Sequence, residues 1–225
     1  MVHTRTAQLY LRAEPTEEGR DLLLQHRRRL HDAFRTLALN PRLTDREDFH
    51  RTELFLGAPA RWSEILLRCG AAVDLTGDDL LALIDLPPGD RTLFPAVPGS
   101  YDVFLTGRTT AVFVLRLAPR TLTLSPKLVS RAERTLRQWE RAGRFPPGTV
   151  NAFLRHPHYP LRRERGGGTP HITLARGRIA PKRQRDVLRS IRQTRHAAAI
   201  PIPTDRIDVR AVRSGTVIAP YAPLP

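Results

Sequence analysis

Apolar positions along this chain recur with two different periods, and the switches between them outline its elements. Residues 7–13 (AQLYLRA) alternate: Ala7, Leu9, Leu11 and Ala13 share one face, while Gln8, Tyr10 and Arg12 share the other, which predicts a strand. Its polar and aromatic face suits either a wet cleft or plain solvent. Thr16 is placed to cap a helix over about 17–38, where Leu23, Leu30, Phe34 and Leu37 recur at spacings of seven, four and three. Its opposite face carries Arg27, Arg28, Arg29 and His31; a solvated surface is the plain reading of that run, phosphate binding the alternative. His26 and His31 read as surface histidines.

A polar loop with Pro41 leads to a strand over 49–56, ended by Gly57, Ala58 and Pro59, and a helix comes next over about 60–69. Between 70 and 100 only a short helix near 78–86 stands out from prolines and glycines. Strands at 101–106 and 109–117 flank Gly107-Arg108, a hairpin signal. Ser125 as cap and Pro126 in the first turn open a helix lined by Leu128, Ala132, Leu136 and Trp139, which Gly143 can end. Residues 144–170 read as a long loop with one short helix near 149–155. The segment RRERGGG (162–168) is either a basic loop that closes over a substrate or an ordinary surface insertion. A strand over 169–178, a helix from Pro181 to about 195 and strands near 205–212 and 216–221 complete the chain. The order is β α β α, then β β α β α β β, so the two halves echo each other.

Two of these strands carry the same chemistry. DFHRTELFLG (48–57) holds His50 and Thr52, and TPHITLARGR (169–178) holds His171 and Thr173. Side chains at i and i+2 of a strand point to one face. Each strand therefore offers an imidazole beside a hydroxyl. With the strands in facing sheets, or adjacent across a pseudo-twofold axis, four groups would surround one phosphate. The imidazoles, with an ordinary pKa of ~6.5, can exchange protons near neutral pH, and the threonines can donate to phosphoryl oxygens. That set suits attack of water on a cyclic phosphodiester and needs no metal; no cluster with metal-ligand spacing is present, and no cofactor is expected. One His-x-Thr is a weak signal, and HTRT at 3–6 reads as a chance copy.

The 225 residues allow one large α/β domain or two small lobes, and 40% hydrophobic content supports a packed core. The formal charge is +15, from 37 Lys+Arg against 22 Asp+Glu, with Lys only at 127 and 182. An excess of this kind favours polyanions such as RNA; arginine-rich coding bias is the competing origin, though the charge acts whatever its source. Cys69 is the sole cysteine, which rules out an intramolecular disulfide and fits a reducing compartment. No signal-peptide core and no run of ~18–20 apolar residues is seen, so a cytoplasmic, non-membrane protein is expected. No protein partner is legible, and a monomer is expected.

HRTELFLG (50–57) and TPHITLARGR (169–178) resemble the two signature motifs of the 2H phosphoesterase superfamily. They look most like its LigT branch, RNA 2′,3′-cyclic phosphodiesterases also called 2′-5′ RNA ligases. Phe55-Leu56-Gly57 supplies the ending of the first motif, His171 to Arg176 match the second in full, and DRIDVRAVRSG (205–215) resembles the closing strand. The resemblance implies an α+β fold over residues 1–225, a single two-lobed domain with pseudo-twofold symmetry, antiparallel sheets lining a central cleft, and helices outside. It implies that His50 and His171 are catalytic, the former as proton donor and the latter as acceptor, with Thr52 and Thr173 holding the phosphate. Arg176 matches a position that contacts phosphate, but strand parity puts it on the Ile172 and Leu174 side, so the strand must twist or end there for it to reach. Tyr10 and Arg12 are further cleft candidates, one to stack on a base, the other to pair with phosphate. Arg51 and Glu53 depart from the pattern, which has apolar residues there. Burying an unpaired charge is costly, so the two either pair or face solvent.

The implied activity is hydrolysis of 2′,3′-cyclic phosphate ends of RNA or of related nucleotides, with ligation open as the reverse reaction. Hydrolysis of 2′-5′-linked or cyclic oligonucleotides is an alternative, as is an RNA- or nucleotide-binding module of weak catalytic power.

Overall fold

A computed structural model describes residues 8–86, 94–118, 121, 123–162, 170–195, 200–211 and 217–220. HTRT, most of the RRERGGG segment and Thr169 lie outside the described residues. The strands are β1 (Leu9–Pro15), β2 (Arg42–Leu43), β3 (Arg51–Gly57), β4 (Pro98–Thr106), β5 (Thr110–Leu117), β6 (His171–Arg178), β7 (Thr204–Ala211) and β8 (Val217–Pro220). The helices are α1 (Glu17–Thr36), α2 (Pro59–Arg68), α3 (Gly77–Leu83), α4 (Ser125–Arg141), α5 (Thr149–Arg155) and α6 (Gln184–Gln193).

The strands form one antiparallel sheet in the order β4-β5-β6-β3-β1-β7-β8, with β2 also paired to β6. Of the two arrangements open from sequence, adjacency across a pseudo-twofold axis is the one found. Three strands on each side of the junction of β6 and β3 correspond, and β8 extends one side. Among the described residues the strands of the two halves meet at the bridge Arg51↔Ile172, and outside the strands Ala96↔Ile202 bridges the segments leading into β4 and β7.

Helices cover one face of this sheet. Behind β4-β5-β6, Leu23, Leu30 and Phe34 of α1 and Val187 and Ile191 of α6 meet Tyr101, Phe113, Leu115, Ile172 and Leu174. Behind β3-β1-β7, helices α2 to α5 meet Leu9, Leu11, Leu54, Leu56, Ile207 and Val209. The helix after β1 thus packs behind the opposite half, and so does α4, which comes after β5. The front face carries the polar groups of the two His-x-Thr strands, with Phe104, Val112 and Val114 among them.

Local chemistry explains most boundaries. The Thr16 hydroxyl accepts from Gly19 N at 3.1 Å, as an N-cap does, and Thr76 and Asp79 form a reciprocal capping box on α3. Ser125 proves to be the first helical residue of α4, not its cap. The cap is Leu124, which has no side-chain oxygen, and its N–H donates to Glu53 Oε2 at 2.9 Å. His26 is no surface residue: it is 2% exposed, and its Nδ1 lies 3.0 Å from the Tyr101 hydroxyl.

Arg51 and Glu53 are each 1% exposed. The Arg51 Nε donates to Glu53 Oε1 at 2.6 Å, and Glu53 Oε2 takes the Leu124 N–H. Pairing is therefore how the chain accommodates charges at positions that face the core. Removing one partner strands the other. Glu53→Gln is expected to cost about 3–5 kcal/mol in urea unfolding, whereas Arg51→Met with Glu53→Leu recovers most of that loss. A single variant within ~0.5 kcal/mol of wild type, the range of an ordinary surface substitution, would show that the pair is not the constraint described.

Candidate active site

The bridge Arg51↔Ile172 sets the geometry of the front face. Both bridge residues point back into the core, so their neighbours point forward. Continuing that antiparallel register by one residue each way sets Thr52 beside His171 and His50 beside Thr173. All four residues of the two His-x-Thr strands thus meet on one face. His50, His171 and Thr173 are half-buried and Thr52 is exposed. Among the described residues neither threonine hydroxyl has a protein partner, so both can donate to a ligand.

Bulges then change the parity of both strands. In β3 the register steps from Arg12↔Thr52 to Leu11↔Leu54 and Tyr10↔Phe55. In β6 it steps from Val114↔Thr173 to Phe113↔Ala175 and Val112↔Arg176. A bulge inserts one unpaired residue and re-aims the side chains beyond it. Arg176 accordingly returns to the face of His171 and Thr173, and it is exposed. Phe55 is turned forward in the same way.

The surroundings of the two imidazoles differ. The Nδ1 of His50 lies 2.8 Å from the Asp48 carbonyl oxygen. An N–H must sit there to donate, which leaves Nε2 as an acceptor in the neutral ring. One side of the ring reaches solvent, but the protein packed around it strips hydration. That burial pulls His50 down from 6.5 to about 4, assisted by the Arg12 charge and opposed by the Asp48 carbonyl and by the carboxylates of Asp48 and Glu14. The Tyr10 ring is 5.8 Å from the His50 ring. His171 instead meets the edge of Phe104, centroid to centroid 4.8 Å, and pairs across the strands with Arg116. Arg116 is itself held 3.0 Å from Asp102.

Arg12 is 4% exposed and is engaged by a carboxylate. Its Nε and NH2 donate to Glu14 Oε1 at 2.9 and 2.6 Å. Glu14, itself 1% exposed, also binds Arg20 at 3.1 Å, Arg206 at 2.6 Å and Arg210. Arg12 therefore acts on the site through its charge and its place beneath Thr52. Sequence reasoning missed Phe104, Arg116, Arg210 and Arg42, which pairs with Arg176 across β2 and β6. Their positions depend on register, and β2 is two residues long, too short for any periodicity to reveal. Among the described residues no group of three His, Cys, Asp or Glu is placed to hold a metal ion, and no helix is long and apolar enough to cross a membrane.

Burial alone would raise the Glu14 pKa. The hydrogen bond and charge of Arg12, with Arg206 and Arg210, outweigh that and hold it at about 2 against an ordinary 4.5. A carboxylate depressed on folding contributes stability above its unfolded pKa and loses it as pH falls toward the folded one. Wild-type stability should thus fall between about pH 4.5 and 2 through this group, and Glu14→Gln should flatten that limb while lowering stability at pH 7. Parallel pH–stability curves for the two proteins would contradict the assignment.

No protein-family profile matches the chain, and no curated protein matches it. Solved structures do. Usb1 from Kluyveromyces marxianus superposes with a TM-score of 0.51 at 11% identity, and its form with uridine monophosphate with 0.50 at 10%, each over 100% of both chains. E. coli LigT with phosphate gives a TM-score of 0.36 at 18% identity over 96% of both chains. Usb1 is a 2H phosphoesterase. With helices on one face of an open antiparallel sheet in which three strands correspond on each side of the junction of its two His-x-Thr strands, the chain has the fold of the 2H phosphoesterases.

Proposed function

We propose that the chain is a phosphodiesterase that opens 2′,3′-cyclic phosphates at RNA ends or on related nucleotides. The observation that carries this reading is the antiparallel register through Arg51↔Ile172, which groups His50, Thr52, His171 and Thr173 on one face. Thr52 and Thr173 donate to the non-bridging phosphoryl oxygens, and Arg176 adds positive charge at the edge of the site. Such preorganised donors favour the charge that builds up as water adds to phosphorus. One imidazole removes a proton from the attacking water. The other protonates the ribose oxygen as its bond to phosphorus breaks, leaving a monoester and a free hydroxyl. Exchange of protons with solvent then restores both rings for the next cycle.

The resemblance to the superfamily motifs assigned His50 as the acid and His171 as the base. The Asp48 carbonyl bond and the low pKa of His50 support the opposite order. A ring that is neutral at pH 7, with its Nε2 lone pair available, is prepared to accept a proton. His50 is then the base and His171 the acid. The net positive charge, and the uridine monophosphate found with Usb1, favour a nucleotide substrate.

The test is hydrolysis of a short RNA ending in a 2′,3′-cyclic phosphate, in EDTA. His50→Ala and His171→Ala should each lower kcat by roughly 10²–10⁴, the worth of one general acid or base, and Thr52→Val or Thr173→Val by about tenfold or more. Wild type that binds this RNA without turnover, while hydrolysing 2′-5′-linked or cyclic oligonucleotides, would redirect the substrate assignment. Binding without turnover of any of these would leave a binding module.

The pH profile separates the two role assignments. With His50 as base, protonation below about pH 4 disables it, so kcat/KM should hold on the acidic side until near that value. An acidic limb centred near the ordinary histidine pKa of ~6.5 that disappears in His50→Gln would contradict a base of lowered pKa.

A further inference from the structure

The two halves of the sheet repeat the same device with different residues. Three positions beyond each threonine, past the bulge, a side chain is turned onto the front face: Arg176 in β6 and Phe55 in β3. One arm of the cleft is basic, with Arg42 beside Arg176. The other presents a ring that is 40% exposed, a large apolar surface.

Phe55 borders a groove of about 950 Å³ whose walls also include Gln8, Arg61 and Arg162, together with apolar Leu56, Pro157 and Pro160. The groove lies beside the site. Phe55 pairs across the strands with Tyr10, and the Tyr10 ring lies 5.8 Å from that of His50. Its volume is near the top of the ~300–1,000 Å³ range of small-molecule sites, with room for more than one nucleotide. Its chemistry combines apolar surface, including the exposed flat ring of Phe55, with cations and an amide. A purely apolar partner would leave Arg61 and Arg162 unused, and a purely acidic peptide would leave the ring unused. Single-stranded nucleic acid uses both: every base has a face to stack, and every linkage carries a charge. Arg61 pairs with Glu64 on the surface of α2 at 2.5 Å. Exposed pairs of that kind contribute little, so exchange for a phosphate is easy.

We propose that this groove binds the RNA segment on the 5′ side of the reacting end, with a base stacked on Phe55 and backbone phosphates on Arg61 and Arg162. The inference rests on the phosphodiesterase reading above. It also gives the pseudo-symmetric site a polarity. The quartet could take a phosphate in either sense, but the arm with Phe55 receives bases, so the RNA leaves the cleft on that side.

The test compares a nucleoside 2′,3′-cyclic phosphate with a tetranucleotide bearing the same end. The ratio of kcat/KM, tetranucleotide over mononucleotide, should exceed one in wild type and fall about tenfold in Phe55→Ala, mainly through KM, with Phe55→Tyr restoring it. Arg61→Gln with Arg162→Gln should reduce the slope of log affinity against log salt by about 1.4, from ~0.7 per phosphate on a single strand. Hydrolysis of both substrates with a ratio that Phe55→Ala leaves unchanged would overturn the groove while leaving the phosphodiesterase reading intact. If wild type hydrolyses neither, that reading fails, and anisotropy with a labelled tetranucleotide 3′-phosphate decides the groove alone. Weaker binding by Phe55→Ala, restored in Phe55→Tyr, would support it. Equal affinity of wild type and Phe55→Ala, or binding by acidic peptide in preference to RNA, would overturn it.

Discussion

Among the described residues, the backbone pairing Arg51↔Ile172 is where the strands of the two halves of the sheet meet, and the geometry of the front face depends on it. Because strand side chains alternate, facing these two residues into the core forces the residues on either side of them forward. A slip of one residue would send the histidines and threonines into the core and bring Arg51 and Ile172 to the surface. The buried pair of Arg51 and Glu53 resists that slip. Its carboxylate takes a guanidinium N–H with one oxygen and the Leu124 N–H at the start of α4 with the other. A charged pair makes an exacting anchor, since either partner alone in the core would be costly. The departure from an apolar pattern at these positions is therefore a change in how the strand is locked, made behind the site and not in it.

Electrostatics then divide the labour across the front. The chain carries a large excess of arginine, and an unbalanced crowd of guanidinium groups would repel itself. Glu14 gathers Arg12, Arg20, Arg206 and Arg210 around one buried carboxylate. Asp102 does the same for Arg116 and Arg192 at 3.0 and 2.8 Å. The arginines are thereby held in place, with Glu17 and Asp208 adding to Glu14 in the first cluster. The charge of Arg12 adds to burial in keeping His50 neutral. Arginine content that coding bias would explain by itself is here placed where an anion would use it.

Much of this was legible in the sequence because it rests on local rules. The amphipathic stripes of α1 and α4, the Thr16 cap and the hairpin between β4 and β5 come from spacing and turn chemistry, and all are present. The four His-x-Thr residues were legible because two strands repeat one pattern. Tertiary context accounts for the rest. His26 lies at the edge of an apolar stripe, and the Tyr101 hydroxyl opposite helps make its burial tolerable. Arg176 was placed on the wrong face by simple parity, since a bulge leaves no mark in the sequence. Arg12 looked free to meet a phosphate because Glu14, two residues on, was not seen as its partner. Strand order, and with it the positions of Arg116, Phe104 and Arg42, depends on pairing between residues far apart in the chain.

If two imidazoles from the two halves converge on one phosphate, they must sense the same ligand. The most direct measurement tracks the ring nitrogens of the eight histidines by NMR, with His50 and His171 assigned by substitution, as a nucleoside 2′-monophosphate is added. Convergence predicts that His50 and His171 respond together, with one shared dissociation constant at a stoichiometry of one, and that the other rings stay still. A response confined to one of the two, or separate affinities for each, would mean that the two strands do not form one site.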